Sequence, residues 1–191
     1  MFEVEVKVRA DHAQVDEALS DMGATELGTV TQVDTYFDAP HRDFAQTDEA
    51  LRLRRERGPD GGEETRITYK GPLVEAASKT RAEHETAVGS AETATKILEA
   101  VGFTRAATVR KERTRFEVDE LTVTLDTVEG LGEFVEVETA AREDAIEPAR
   151  EAAYDILRAL GLDPEAQIRR SYLELLLEDE ETAVGTGEKE Q

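Results

Sequence analysis

Charged and apolar residues alternate at the start of the chain, where Glu3, Glu5 and Lys7 are interleaved with valines. Successive side chains of a β-strand point to opposite faces, so this pattern predicts a strand with one charged and one apolar face. The pattern recurs in six further segments. Their residues on the polar face are Arg52 and Arg54; Arg66, Thr68 and Lys70; Arg81, Glu83 and Glu85; Lys111, Arg113 and Arg115; Thr122, Thr124 and Asp126; and Glu136 and Glu138.

A single strand of this kind ordinarily packs its apolar face on a core and exposes its polar face to solvent. Seven such strands carrying charges of both signs instead favour a closed barrel with a charged lumen and an apolar exterior covered by helices. The predicted fold class is therefore α+β: an eight-stranded, mostly antiparallel closed β-barrel with helices packed outside.

Apolar residues at helical spacing predict three main amphipathic helices, and each ends at a glycine, the residue favoured just beyond a helix C-terminus. A Glu-x-Glu strand precedes each helix, and a further strand is expected after each helix. This order indicates either a loose threefold repeat or a coincidence of common motifs. The predicted helices are Ala13 to Met22, Ala91 to Val101 and Glu143 to Leu160, with Gly23, Gly102 and Gly161 at their ends. The strands expected to follow them are Thr31 to Phe37, Thr108 to Val118 and Ile168 to Leu177.

Two hairpins and two irregular segments complete the organisation. Turn residues 58–62 join strands Ala50 to Glu56 and Thr65 to Lys70, and residues 130–132 join strands Leu121 to Val128 and Glu133 to Thr139. Residues 71–79 are expected to be a mobile connection at one mouth of the barrel. We expect one tunnel domain over residues 1–178 and an acidic disordered tail over residues 179–191.

Composition narrows the function classes. The chain has no cysteine, which excludes disulfides and thiolate metal sites, and it contains no long apolar run that would predict a membrane span or a signal peptide. A cytoplasmic location is expected. The net charge of −21 argues against nucleic-acid binding. Only 6 of the 23 basic residues are lysine, and this acidic, lysine-poor composition is typical of halophilic proteins or of an acidic surface selected for solubility.

The charges on the inward faces predict a polyphosphate site. Basic residues walled off from an acidic exterior suit a small and highly anionic ligand, because arginine offers forked donors and lysine a point charge. Close carboxylates resist joint ionisation unless a cation such as Mg²⁺ or Mn²⁺ lies between them, although salt bridges within the lumen would also satisfy them. The candidate metal ligands are Glu3, Glu5, Asp126, Glu136 and Glu138.

An ordered set of motifs resembles the CYTH, or triphosphate tunnel metalloenzyme, superfamily, and within it the class IV adenylate cyclase branch. The resemblance covers about residues 1–177. Its motifs are Glu3-x-Glu5-x-Lys7, Asp34-Thr-Tyr-Phe-Asp38, Ala50-Leu-Arg-Leu-Arg54, Thr68-Tyr-Lys-Gly-Pro72, Thr80-Arg-Ala-Glu-His-Glu85, Val109-Arg-Lys-Glu-Arg113 and the segment from Leu125 to Glu138 with its Glu129-Gly-Leu-Gly132 hairpin.

The resemblance implies a tunnel that binds a triphosphate with a divalent metal, Mg²⁺ or Mn²⁺. It implies that Glu3, Glu5 and Glu136 bind the metal, with Asp126 and Glu138 supporting or sharing it. Catalytic roles are implied for Lys7, Lys70, Lys111 and Arg113. The phosphate path would be lined by Lys7, Arg52, Arg54, Lys70, Arg81, Lys111 and Arg113.

The activity implied first is conversion of ATP to cyclic AMP and pyrophosphate. Relatives that hydrolyse inorganic tripolyphosphate or thiamine triphosphate imply a triphosphatase as the alternative, and a noncatalytic polyphosphate or nucleotide sensor is a third reading. The partner expected is therefore a small-molecule triphosphate, with no nucleic acid and no membrane. The family analogy also allows a homodimer.

Overall fold

The computed structural model describes residues 2–75 and 77–186, and its centre is a closed eight-stranded barrel. The strands are β1 (Phe2–Arg9), β2 (Thr25–Asp38), β3 (Ala50–Arg57), β4 (Glu63–Glu75), β5 (Lys79–Ala87), β6 (Thr104–Val118), β7 (Leu121–Val128) and β8 (Gly132–Ala141). Their order around the barrel is β1-β5-β4-β3-β2-β6-β7-β8, and every pairing is antiparallel. The predicted fold class is confirmed.

Helices cover the outside of the barrel and one of its ends. They are α1 (His12–Asp21), α2 (Phe44–Thr47), α3 (Ala91–Ala100), α4 (Ile146–Ala159) and α5 (Tyr172–Thr186), with 3₁₀ turns at Glu143–Ala145 and Pro164–Ala166. Gly23, Gly102 and Gly161 follow α1, α3 and α4 with φ of +70°, +98° and +75°, the left-handed conformation predicted for them. Within the described ranges, no helix combines the length and apolarity needed to cross a membrane.

The apolar core lies outside the barrel wall, as the inverted alternation predicts. Valines of β1, β7 and β8, such as Val6 and Val137, pack against Val15 and Leu19 of α1 and against Leu157 of α4. A second cluster joins α3 to the outer faces of β2, β3 and β4 through Phe37, Leu51 and Leu98 among others. Because the barrel is closed, the opposite face of each strand faces the lumen.

A third apolar cluster fills one end of the barrel. Val109, Val128 and Phe134 meet Tyr172 and Leu175, which enter from the first turn of α5. The rings of Phe134 and Tyr172 lie edge to face with their centroids 4.9 Å apart. The lumen is therefore apolar at this end and charged in its middle.

The predicted strand at Ile168 to Leu177 is wrong, because α5 begins at Tyr172. The threefold repeat accordingly fails in its third unit, whereas β1-α1-β2 and β5-α3-β6 follow the predicted order. The connection expected over residues 71–79 is shorter than predicted, since β4 continues to Glu75 and β5 begins at Lys79. Helix α5 runs through Thr186, into the predicted tail, and residues 187–191 lie outside the described residues.

Candidate active site in the barrel lumen

The lumen opens into a cavity of about 880 Å³, and the predicted charged residues form the part of its lining that the strands supply from their inward faces. Strand alternation places them, since every second residue of each strand faces inward. All seven predicted phosphate ligands and four of the five predicted metal ligands line the cavity. Asp126 does not, because it lies behind Lys111 and Arg113.

Three carboxylates converge on one point of the cavity wall. Glu3, Glu5 and Glu138 each present an oxygen within 4.8 Å of the others. The register explains the cluster, because Glu5 lies opposite Glu138 across the β1–β8 pair and Glu3 is two residues away on the same face of β1. Burial raises the pKa of Glu138 to about 7, with Arg113 opposing the shift and Glu3 and Glu136 adding to it. A divalent cation bound by oxygen ligands would remove this repulsion, so the donor set fits Mg²⁺ or Mn²⁺.

Glu136 lies beside this cluster and shares Lys7 with Glu5, each at 3.5 Å from Lys7 Nζ. Arg113 donates to its carboxylate, and Lys7 lies 3.5 Å from its other oxygen. Burial raises the pKa of Glu136, but Arg113, Lys111 and Lys7 together outweigh this and keep the pKa well below its usual value. The structure thus groups Glu138, and not Glu136, with Glu3 and Glu5.

Asp126 anchors two cations at the back of the lumen. Its two oxygens accept from Nε and a terminal nitrogen of Arg113 at 2.6 Å and 2.5 Å, and Lys111 Nζ donates at 2.9 Å. The Tyr172 hydroxyl also donates to it at 2.9 Å. This fully buried carboxylate is saturated by protein donors, so the geometry gives it a positioning role behind Lys111 and Arg113.

Asp34, on β2, plays the same part for Arg54 of the neighbouring strand β3. Arg54 makes a forked pair with it, with donor–acceptor distances of 2.7 Å and 2.6 Å, and Arg52 lies 3.4 Å away. Burial raises the pKa of Asp34, but Arg54 and Arg52 hold it well below its usual range. Sequence reasoning placed Asp34 in a family motif without a role. The available signal was the alternation within strand Thr31 to Phe37, which places Gln32, Asp34 and Tyr36 on one face.

The remaining cations face the cavity with fewer protein partners. Arg52 Nε is buried and lacks a hydrogen-bond partner among the described residues. Lys70 Nζ is shared between Glu3 and Glu83, the latter at 3.0 Å. Arg81 is buried, and its guanidinium donates to the backbone carbonyl of Asp48 at 2.7 Å. These side chains can bind phosphate oxygens without losing a strong forked ion pair.

Tyr172 contacts the lysines at the apolar end of the site. The incorrect strand prediction for Ile168 to Leu177 gave this residue no role. Lys7 Nζ and Lys111 Nζ lie 4.3 Å and 4.9 Å from the centroid of its ring. Cation–π contacts of this kind stabilise desolvated ammonium groups. The three histidines do not line the cavity, and His84 stacks on Tyr69 on the outer face of the barrel.

Comparison with known proteins agrees with the motifs. The CYTH domain matches residues 1–172. The chain is 37% identical over 177 residues to a protein of Methanocaldococcus jannaschii named "Putative adenylate cyclase MJ0240", with 92% of this chain and 98% of the relative covered. It is 29% identical to "Adenylate cyclase CyaB" of Aeromonas hydrophila, over 90% of this chain and 86% of the relative.

A solved structure shares the whole architecture. The PH1819 protein of Pyrococcus horikoshii superposes with a TM-score of 0.86 at 40% identity, covering 93% of this chain and 99% of that protein. The domain match, the relatives and this superposition agree over nearly the full length of the chain. The chain belongs to the CYTH domain family.

Proposed function

We propose that this protein is a divalent-metal-dependent enzyme that acts on a triphosphate in the barrel lumen, with class IV-type adenylate cyclase as its first activity. The observation that carries the proposal is the convergence of Glu3, Glu5 and Glu138 in a cavity that Arg52 and Lys70 also line, with Lys70 paired to Glu3. A site that only bound phosphate would need the cations but not the convergent carboxylates. The adenylate cyclase names of the relatives support the choice of reaction.

The residues divide the work between metal and phosphate. Glu3, Glu5 and Glu138 would hold the ion, which supplies Lewis-acid stabilisation of charge on the phosphate oxygens when bound. Lys7, Arg52, Lys70 and Arg81 would neutralise the rest of the triphosphate. Arg54 and Arg113 are already fixed by Asp34 and Asp126, so these donors need little reorganisation when the substrate binds.

In the cyclase reaction the ribose 3′-hydroxyl loses its proton to water, its oxygen forms a bond to the α-phosphorus, and the bond from that phosphorus to the bridging oxygen breaks to release pyrophosphate. The cations would hold the β- and γ-phosphates and stabilise the leaving pyrophosphate. A triphosphatase is the second candidate, because the same charged wall would hold inorganic tripolyphosphate or thiamine triphosphate with water as nucleophile. The choice of Mg²⁺ or Mn²⁺, a cytoplasmic location and a homodimer stay predictions.

Product analysis tests the proposal. Purified protein is incubated with ATP or with tripolyphosphate in the presence of Mg²⁺ or Mn²⁺, and the products are separated by chromatography. Cyclic AMP with pyrophosphate identifies a cyclase, and orthophosphate identifies a triphosphatase. The Glu5→Gln variant, purified in parallel, controls for contaminating phosphatases. Tight binding of both compounds without turnover would contradict the enzyme proposal and indicate a sensor.

Competition tests where the substrate binds. Tripolyphosphate should displace ATP at fixed free Mg²⁺, because most lumen groups contact phosphate or metal. AMP should compete poorly, since it lacks the charge to span the basic strands. Equal competition by AMP would place the binding energy in a nucleoside pocket and contradict a triphosphate tunnel.

A further inference from the structure

The barrel lumen has a second opening at the end opposite α5. Lys7 and Lys111 contact the ring of Tyr172 at the α5 end. Glu3 and Arg115 lie four residues further along the same two strands, and at roughly 3.3 Å per residue they are about 13 Å from that end. Side-chain exposure rises over this distance, from 3% for Lys7 to 22% for Glu3 and 28% for Arg115. Both Glu3 and Arg115 line the cavity, so the cavity reaches this opening.

Charged residues from five strands surround the opening. We define the rim by Glu3 of β1, Glu56 of β3, Arg66 of β4, Glu85 of β5 and Arg115 of β6. Arg115 makes a forked pair with Glu56 at 2.6 Å and 3.2 Å, and Arg66 donates to Glu85 at 2.9 Å. Each rim arginine is therefore matched by a rim glutamate, and carboxylates outnumber guanidiniums. The proposed triphosphate site gives no role to four of these five residues.

Next to the rim, Gln32 offers an acceptor that no described residue uses. Its Nε2 donates to Glu56 at 2.6 Å, and its Oε1 is buried without a hydrogen-bond partner in the part of the chain that the structure describes. Gln32 shares the inward face of β2 with Asp34. A buried acceptor is satisfied by a donor such as the water shell of a cation, but not by a phosphate oxygen, which itself accepts. This part of the lumen therefore suits a hydrated cation.

The α5 end of the lumen is cationic instead. Lys7, Lys79 and Lys111 are buried there, and Lys79 contacts Glu174 of α5 at 3.3 Å. Glu5 of the carboxylate cluster lies two residues from Lys7 in the direction of the rim. A divalent ion that came from the α5 end would pass these lysines, and like charges repel strongly at separations of a few ångströms. An ion that came through the rim would meet carboxylates first.

We propose that the rim is the entrance through which a divalent cation reaches Glu3, Glu5 and Glu138, separate from the cationic end that suits the triphosphate. The inference rests on the proposed function and adds a separate route for each of the two ligands. Because the routes differ, metal and triphosphate can bind in either order.

The binding kinetics of Mn²⁺ alone test the route. Electron paramagnetic resonance gives the Kd, capture of released Mn²⁺ by excess fluorescent chelator in a stopped-flow instrument gives the dissociation rate, and their ratio gives the association rate. The rim variants are Glu85→Gln and Arg66→Gln, which change the charge of the rim in opposite directions. Asp43→Asn is the matched control, because Asp43 lines the cavity beside α2 and asparagine retains its N-cap.

We expect Glu85→Gln to slow both association and release of Mn²⁺ by about 2- to 10-fold, the effect of one charge on a divalent ion roughly 6 Å away in salt solution. Arg66→Gln should speed both rates by a similar factor. The Kd should change less than either rate, because the rim acts on the passage and not on the bound ion. Added KCl should reduce both effects, and Asp43→Asn should leave the rates unchanged.

Three results would overturn the inference while leaving the proposed function intact. The first is unchanged rates in both rim variants, and the second is slower association in Asp43→Asn. The third is a change in Kd and dissociation rate without a change in association rate, which would make the rim part of the surroundings of the bound ion and not its entrance. If Glu5→Gln binds Mn²⁺ as tightly as the unmodified protein, the metal site of the proposed function fails and the inference fails with it.

Discussion

At the scale of single residues, the lumen separates two kinds of carboxylate. Asp34 and Asp126 are saturated by forked arginine pairs, whereas Glu3, Glu5 and Glu138 lie close to one another. Paired carboxylates fix the basic residues, and the convergent ones fit a cation. The two kinds predict opposite phenotypes on substitution.

Glu5→Gln should abolish divalent-metal binding with little effect on the fold. The substitution removes one charge from a three-carboxylate site. Changes in outer-shell partners alone cost about 10–100-fold in metal affinity, so the change of a direct ligand should cost at least as much. Titration with Mn²⁺ followed by electron paramagnetic resonance measures the affinity. Glu112→Gln, on an exposed position of β6, is the matched control. Unchanged Mn²⁺ affinity in Glu5→Gln would eliminate this metal site.

Asp126→Asn should instead destabilise the protein. The substitution leaves the buried cations of Lys111 and Arg113 without their shared anion, which typically costs about 3–5 kcal/mol in the free energy of unfolding. Urea unfolding measures the change, and Asp155→Asn at an exposed pair with Arg158 should stay within about 0.5 kcal/mol of the unmodified protein. If Asp126→Asn has normal stability but no longer binds metal, Asp126 is a metal ligand and not a positioning residue.

At the scale of elements, alternation predicted the strands and the faces they present, because each inward set has a period of two. Alternation does not give the position of each residue along the axis of the barrel. Whether Glu136 or Glu138 joins Glu3 and Glu5 depends on the β1–β8 register, in which Glu5 lies opposite Glu138 and Lys7 opposite Glu136. A register is set by pairing between distant segments, so the sequence of one strand does not contain it.

Helix α5 was missed although the sequence carried a signal for its start. Ser171 and Glu174 form a capping box: the Ser171 hydroxyl accepts from the backbone N–H of Glu174 at 3.1 Å, and the Glu174 carboxylate accepts from the backbone N–H of Ser171. The apolar run within the predicted strand Ile168 to Leu177 fits a strand or a helix, an ambiguity common to short apolar runs. Helix α2 has only four residues, too few for a periodic pattern.

The contact of α4 with the barrel should be a main source of stability. Leu157 is fully buried between α4 and the valines of the barrel exterior, so Leu157→Ala should lower the free energy of unfolding by about 2–5 kcal/mol. Leu27→Ala, at a side chain 56% exposed, should change it by less than about 0.5 kcal/mol. Equal effects of the two substitutions on the urea midpoint would show that the exterior core does not support the barrel.

At the scale of the whole molecule, the net charge of −21 contrasts with a lumen rich in cations. Repulsion among exterior carboxylates opposes the compact state and is screened by salt, so stability should rise as KCl increases into the molar range. Thermal unfolding at several KCl concentrations measures this, with a neutral osmolyte of equal osmolality as the control. Full stability in dilute buffer with no response to KCl would refute the halophilic interpretation of the composition.

The central claim is that metal and triphosphate meet inside the barrel, and anomalous X-ray diffraction from crystals grown with Mn²⁺ and diimidotriphosphate tests it most directly. We predict an anomalous peak within coordination distance of Glu3, Glu5 and Glu138, with the triphosphate in contact with Arg52, Lys70 and Arg81. A manganese peak outside the barrel, or a triphosphate bound away from these cations, would contradict the account.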